Sequence, residues 1–235
     1  MSARGEVRLG GLVGADGKTH QGAFDFAYLR CVPNFVVMAP SDENELRHML
    51  ATALAHDGPA AFRFPRGAGQ GVALDATPRA LEIGKARVVR DAGPRLDVSL
   101  LAAGTAVHAA AAAAEALARD GITAAVVDAR FVKPLDEELL CGLASACGRV
   151  VTVEEAALAG GFGSACLEVF ERRNLLEHLS VRRLGLPDRF VTHGDANRQR
   201  AELGIDAAAI IAAAHEVVGH ARHRAWPGEP VAQYG

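Results

Sequence analysis

The apolar positions fall into two series separated by a polar, irregular stretch. In the first, residues 35–38 (FVVM) form a run of strand length, entered through Pro33-Asn34 and left through Pro40. Ser41-Asp42 then starts a helix, with Glu45 three residues after Asp42 as in a capping box. Leu46, Met49, Leu50, Ala53 and Leu54 follow at helical spacing and give that helix one buried face. Asp57-Gly58-Pro59 stops it, and residues 60–64 (AAFRF) return as a strand. Strand, helix and strand joined by short turns predict a βαβ unit, with parallel strands and a right-handed crossover. Residues 1–10 are polar and glycine-rich, and no strand is predicted there.

The second series predicts strands at 98–102, 123–128, 149–153 and 179–183. Between them lie an alanine-dominated helix ending at Asp120-Gly121, a helix from Pro134 to about Cys147, and one opened by Gly160-Gly161-Phe162-Gly163. Residues 130–134 (RFVKP) and 185–193 read as loops, and helices at 197–203 and 206–220 close the series. Residues 67–95 are rich in Gly, Pro and charge, with a weak strand at 86–89. The predicted fold class is α/β: two parallel or mostly parallel sheet units with flanking helices. The units are assigned to 1–79 and 97–220, with a linker at 80–96 and a loose tail at 221–235.

Composition narrows the function classes. The 235 residues are 50% apolar and 5% aromatic, as expected of a packed α/β protein. A net charge of −3 without a basic stretch argues against nucleic acid and anionic membranes as partners. The longest alanine run, 109–114, is too short to span a bilayer, and no charged-then-apolar leader opens the chain. Cys31, Cys141, Cys147 and Cys166 have no CxxC spacing, which points to reduced thiols, a cytoplasmic location and no zinc site.

Residues 11–30 form a glycine-rich loop leading into an apolar, aromatic run, with Asp16 and His20 four apart. Arg66 lies just past the carboxyl end of the strand at 60–64, the edge at which open α/β sheets bind ligands. An arginine fork suits phosphate, and a histidine oriented by an acid can exchange protons with a hydroxyl or carbonyl oxygen. Together they suit a phosphorylated sugar or keto acid; a structural Asp–His turn with a surface arginine is the alternative these residues leave open. Elsewhere the chemistry is weaker. Gly161-x-Gly163 lacks the third glycine of a dinucleotide turn and reads as a tight strand-to-helix turn. Of Glu154-Glu155, one is expected to cap and one to be solvated. His108 reads as packed or half-exposed, and His215, His220 and His223 as a solvated helix end.

The segment GLVGADGKTHQGAFDFAYLRCVPNFVVMAPSDENELRHML, the stretch FRFPRG, and DARFVKPLD followed by VTVEEAALAGGFGSA resemble the 1-deoxy-D-xylulose-5-phosphate synthase family. The similarity runs from about residue 11 to 215 and takes in GLPDRFV and RAELGID. It implies a thiamine-diphosphate- and Mg²⁺-dependent transferase related to transketolase, cytoplasmic and homodimeric. Such enzymes join pyruvate, after decarboxylation, to glyceraldehyde 3-phosphate for isoprenoid, thiamine and pyridoxal biosynthesis. By the same resemblance Asp16 and His20 contact substrate or the cofactor-bound intermediate, Arg66 holds the acceptor's phosphate, and residues 124–214 form a structural, dimer-forming domain. The family's Gly-Asp-Gly and Asn motif for diphosphate and metal, and its activating glutamate, have no counterpart here. Leu9 stands where the family has arginine. The resemblance therefore implies a partial pyrimidine-binding domain and a carboxyl-terminal domain that alone are inactive and bind no cofactor or metal tightly. They would pair with a missing amino-terminal part. The alternatives are a transketolase or 2-oxoacid dehydrogenase β-type subunit, or a non-catalytic dimerisation module left by truncation.

Overall fold

Asp42 caps its helix as the capping box predicts, its carboxylate accepting the Glu45 amide at 2.8 Å. That helix, α2 (Glu43–Ala55), connects the parallel strands β2 (Val36–Met38) and β3 (Ala60–Phe64). The structure is a computed structural model that describes residues 7–8 and 10–220; the predicted tail at 221–235 and His223 lie outside the described residues. Two sheets result. The smaller has the order β1-β3-β2-β7, with β1 at Val7–Arg8 and β7 at Phe131–Lys133. In the larger the order is β4-β6-β5-β8-β9, built from β4 (Arg87–Arg90), β5 (Val98–Ala102), β6 (Ala124–Asp128), β8 (Arg149–Ala157) and β9 (Ser180–Leu186). Every pairing is parallel except β2 with β7 and β4 with β6.

Alternate residues of β5 feed opposite faces of the larger sheet. Leu100 packs with α3 (Ala106–Arg119) and α7 (Ala207–His220), whereas Leu101 packs with α4 (Glu137–Cys147) and α5 (Phe162–Arg172). The second of these cores also contains Phe26 from the short helix α1 (Asp25–Arg30) and Val37 from β2, so the two sheets share one interior. Met49, Ala53 and Phe62 close the opposite face of the smaller sheet around Met38.

Four departures from the sequence pattern matter for the site. Residues 7–8, predicted irregular, pair with β3, because the edge of β3 leaves backbone groups to satisfy. The predicted loop at 130–134 contains β7, which adds to the smaller sheet; Phe131 enters one core and Val132 the other. The 80–96 segment, assigned as a linker after a weak strand at 86–89, joins the larger sheet: β4 pairs with β6 along that sheet's edge. Lastly, β8 runs on through Glu154 and Glu155. The stretch around 70–81 has no regular structure, but α2 holds it by side-chain bonds. Glu43 accepts the amides of Gln70, Gly71 and Val72 at 2.6–3.1 Å. Buried His48 accepts the Arg79 amide at 3.0 Å, and the Thr52 hydroxyl accepts that of Leu81 at 2.8 Å.

Candidate functional site

Two glycines close the loop that carries Asp16 and His20. Gly11 and Gly22 exchange backbone hydrogen bonds at 3.0 and 2.9 Å, and Gly10 donates to the Phe64 carbonyl at the end of β3. Inside this closure Gly14–Asp16 form a single 3-10 turn, and the Gln21 side chain accepts the Val13 amide at 2.7 Å. Leu12 anchors the loop from beneath, packed with Ala23, Leu186, Val191 and Ile205. Gly11 has φ 80, and a Cβ there would stand 2.6 Å from a carboxylate oxygen of Glu155, so glycine is required on both counts.

The loop delivers Asp16 to Arg66. Their side chains form a hydrogen-bonded ion pair just beyond the carboxyl end of β3, on open surface, with the arginine side chain 55% exposed. His20 lies on the same loop and is exposed; its Nδ1 pairs with the Thr19 hydroxyl at 2.9 Å. The structure thus pairs two of the three predicted residues, while the His20 imidazole, on the same loop, is bonded to its neighbour Thr19.

Sequence reading missed Arg63, which is buried three residues before Arg66. Its guanidinium donates to Asp25 at 2.7 Å and to the carbonyl of Gly22 at 2.9 Å, and lies 3.6 Å from the centre of the Phe26 ring. Burial pushes the Asp25 carboxyl above its ordinary range, opposed by Arg63. A charged residue within the apolar run AAFRF was the signal available.

Glu154 and Glu155 behave differently from each other, as expected of neighbours on a strand, but neither is solvated. Glu154 accepts the amides of Phe162 (2.6 Å) and Gly163 (2.8 Å) at the start of α5. Burial pushes its pKa up to about 7 against those two bonds. The glycine turn is therefore a strand-to-helix turn whose helix amides already hold an internal carboxylate. Glu155 corrects the expectation of a solvated side chain: both faces of β8 are covered, and its carboxylate accepts the Leu12 amide (3.2 Å) and Arg200 Nε (2.5 Å).

His108 Nε2 donates to the Ser41 carbonyl at 2.8 Å, and His215 pairs with Asp120. Burial holds the Cys166 thiol well above its ordinary range, and Cys31 is exposed. Among the described residues no group of three His, Cys, Asp or Glu could hold a metal ion. A cleft of about 530 Å³ opens elsewhere, between β9 and α7, lined by Arg182, Pro187, Leu203 and Ala213 among others.

Two mostly parallel sheets flanked by helices, with a glycine-closed loop at a carboxyl edge, are the architecture of a transketolase-type protein, and the chain belongs to that family. Residues 84–210 match the transketolase C-terminal domain, and residues 6–71 match the transketolase pyrimidine binding domain. Among curated proteins it is 68% identical, over 216 residues and 92% of its length, to the 1-deoxy-D-xylulose-5-phosphate synthase of Anaeromyxobacter sp. (strain Fw109-5). It is also 54% identical over 202 residues to 1-deoxy-D-xylulose-5-phosphate synthase 1 of Geobacter metallireducens. These matches cover 34% and 32% of the two relatives, so the chain spans about a third of their length. Among solved structures, a split-gene transketolase described as an inactive β4 tetramer superposes with a TM-score of 0.79 at 30% identity. That match covers 92% of this chain and 67% of the other. The transketolase of Campylobacter jejuni, at 21% identity and a TM-score of 0.65, shares the fold.

Proposed function

We propose that the chain is the acceptor-binding portion of a 1-deoxy-D-xylulose-5-phosphate synthase, condensing pyruvate with glyceraldehyde 3-phosphate. The observation that carries this reading is the Asp16–Arg66 pair, held at a sheet's carboxyl edge by a loop closed on glycines. In the free protein Asp16 holds the exposed guanidinium in place; an arriving phosphate offers a better-matched set of oxygens to the same fork. His20 supplies an exposed imidazole on the same loop, for a hydroxyl or carbonyl of the substrate. Identity of 68% to a protein of that name supports the reaction assigned.

Thiamine diphosphate, when bound, supplies the carbon that takes up the two-carbon unit of pyruvate. The family's Gly-Asp-Gly and Asn motif has no counterpart in this sequence, so the cofactor and Mg²⁺ are assigned to another part of the enzyme, and this chain alone is inactive. The neighbour described as an inactive β4 tetramer supports a chain that self-associates without turning over. The site of action is the cytoplasm, and the product feeds isoprenoid, thiamine and pyridoxal synthesis. No helix of the described residues is long and apolar enough to cross a membrane.

A chimera tests the reading: this chain replaces the matching third of the Anaeromyxobacter relative. Deoxyxylulose phosphate should form only when pyruvate and glyceraldehyde 3-phosphate are both supplied. A folded chimera that binds thiamine diphosphate and makes no product would refute the assignment.

A further inference from the structure

The loop that carries Asp16 and His20 belongs to the smaller sheet, yet much of its support comes from the far end of the chain. Glu155 Oε2 accepts the Leu12 amide, while Oε1 accepts Arg200 Nε and lies 3.5 Å from the Thr105 hydroxyl. Opposite, the Gly194 amide donates to the Gly14 carbonyl at 3.1 Å. The Gln21 side chain donates to the Thr192 carbonyl at 3.4 Å, which Gln199 also engages at 2.6 Å. The helix α6 (Ala196–Glu202) carries both Gln199 and Arg200, and Asp195 caps it through the Arg198 amide at 2.9 Å.

We infer that Glu155 is a positioning residue for the substrate loop, and that Arg200 fixes the carboxylate through which it acts. This rests on the reading that the loop faces the phosphorylated acceptor. The larger sheet is then part of the acceptor site without touching the acceptor. The carboxylate is needed because its two oxygens serve two donors at once. A glutamine offers one acceptor oxygen and a donor amide, so either Leu12 N–H or Arg200 Nε–H would face another donor. Glu155 is buried, so no water replaces the lost bond.

Hydrogen exchange on the full chain reads the loop directly. In Glu155→Gln the amides of residues 12–21 should exchange faster by about tenfold or more, the opening expected from one lost charge-assisted bond. Amides of β5 and α3 should keep their wild-type rates. Unchanged loop rates, or the same acceleration in β5 and α3, would overturn the inference. Should Glu155→Gln fail to fold, Arg200→Gln carries the same expectation and the same two overturning results, since that side chain is partly exposed. In the active chimera, Glu155→Gln should raise KM for glyceraldehyde 3-phosphate by about tenfold while kcat stays within about twofold. A loosened loop with an unchanged KM would also overturn the positioning role. A chimera that makes no product removes the assigned reaction, and the exchange rates still decide whether Glu155 holds the loop.

Discussion

Arg130 grips Glu45 with two parallel hydrogen bonds, Nε to Oε2 and Nη2 to Oε1, both 2.8 Å long. The pair ties α2 to the corner between β6 and β7, and Arg130 takes φ 55 to reach it. Arg87 adds a third charge 3.4 Å from Glu45, and the Ser41 hydroxyl donates to Asp128 at 2.8 Å. The seam between the sheets thus holds two buried carboxylates, Glu45 and Asp128, partnered by two arginines that keep partial solvent contact.

Glu45→Ala should destabilise the protein by about 2–4 kcal/mol, a range reduced from that of a fully buried pair because both arginines keep some solvent contact. Urea unfolding measures it. A loss below about 1 kcal/mol would mean that the grip contributes little beyond geometry.

Asp128 gives the cluster a pH dependence of defined sign. Burial pushes its pKa from 3.8 up to about 6, opposed by the Ser41 bond and by Arg87. A carboxyl with a raised folded pKa contributes stability fully present below the unfolded value and lost as pH rises through the folded one. Asp128→Asn removes that dependence. Relative to the wild type, the variant should therefore gain stability between pH 4 and 7, by at most about 3 kcal/mol. Unfolding curves at both ends of that range give the comparison, and a gain in the opposite direction would show that Arg87 outweighs burial.

Arg66→Ala, made in the active chimera, should raise KM for glyceraldehyde 3-phosphate far more than KM for pyruvate. Loss of a charge-assisted phosphate contact is worth about 1.5–3 kcal/mol, or roughly ten- to over a hundredfold. Equal changes for the two substrates would remove Arg66 from the phosphate.

Gly14→Ala compares strain with contact. The residue has φ 65, and an added Cβ would lie 3.1 Å from the Gly194 carbonyl oxygen. Gly121 has φ 77 with nothing within 4 Å. Gly121→Ala should show only the backbone penalty of about 1–2 kcal/mol, and Gly14→Ala visibly more. Equal losses in denaturant midpoint at constant slope would mean that the 191–200 segment yields to the loop.

The sequence made the βαβ core readable because Leu46, Met49 and Ala53 repeat at helical spacing between two short apolar runs. Asp16 and Arg66 were placed together because a glycine loop and a strand end share an edge; nothing in the pattern could say that His20 would turn to Thr19. Phe131-Val132-Lys133 was invisible as a strand. Three residues between Arg130 and Pro134 carry too little alternation, and only their pairing with β2 defines them. Glu155 was misread because period-two logic sends it away from Glu154 correctly, but cannot tell that the far face of β8 is covered as well.

That hidden strand has a bearing on how such proteins can be inherited. The edge of the smaller sheet is encoded after β5 and β6 of the larger one, and Lys133 Nζ reaches back to the carbonyls of Arg30 and Val32 at 2.9 and 2.5 Å. A recombination event that exchanged one unit between related genes would deliver β7 with the wrong partner, strand and lysine together. Crossovers inside this stretch should be rare among descendants, and the two units should share a single genealogy.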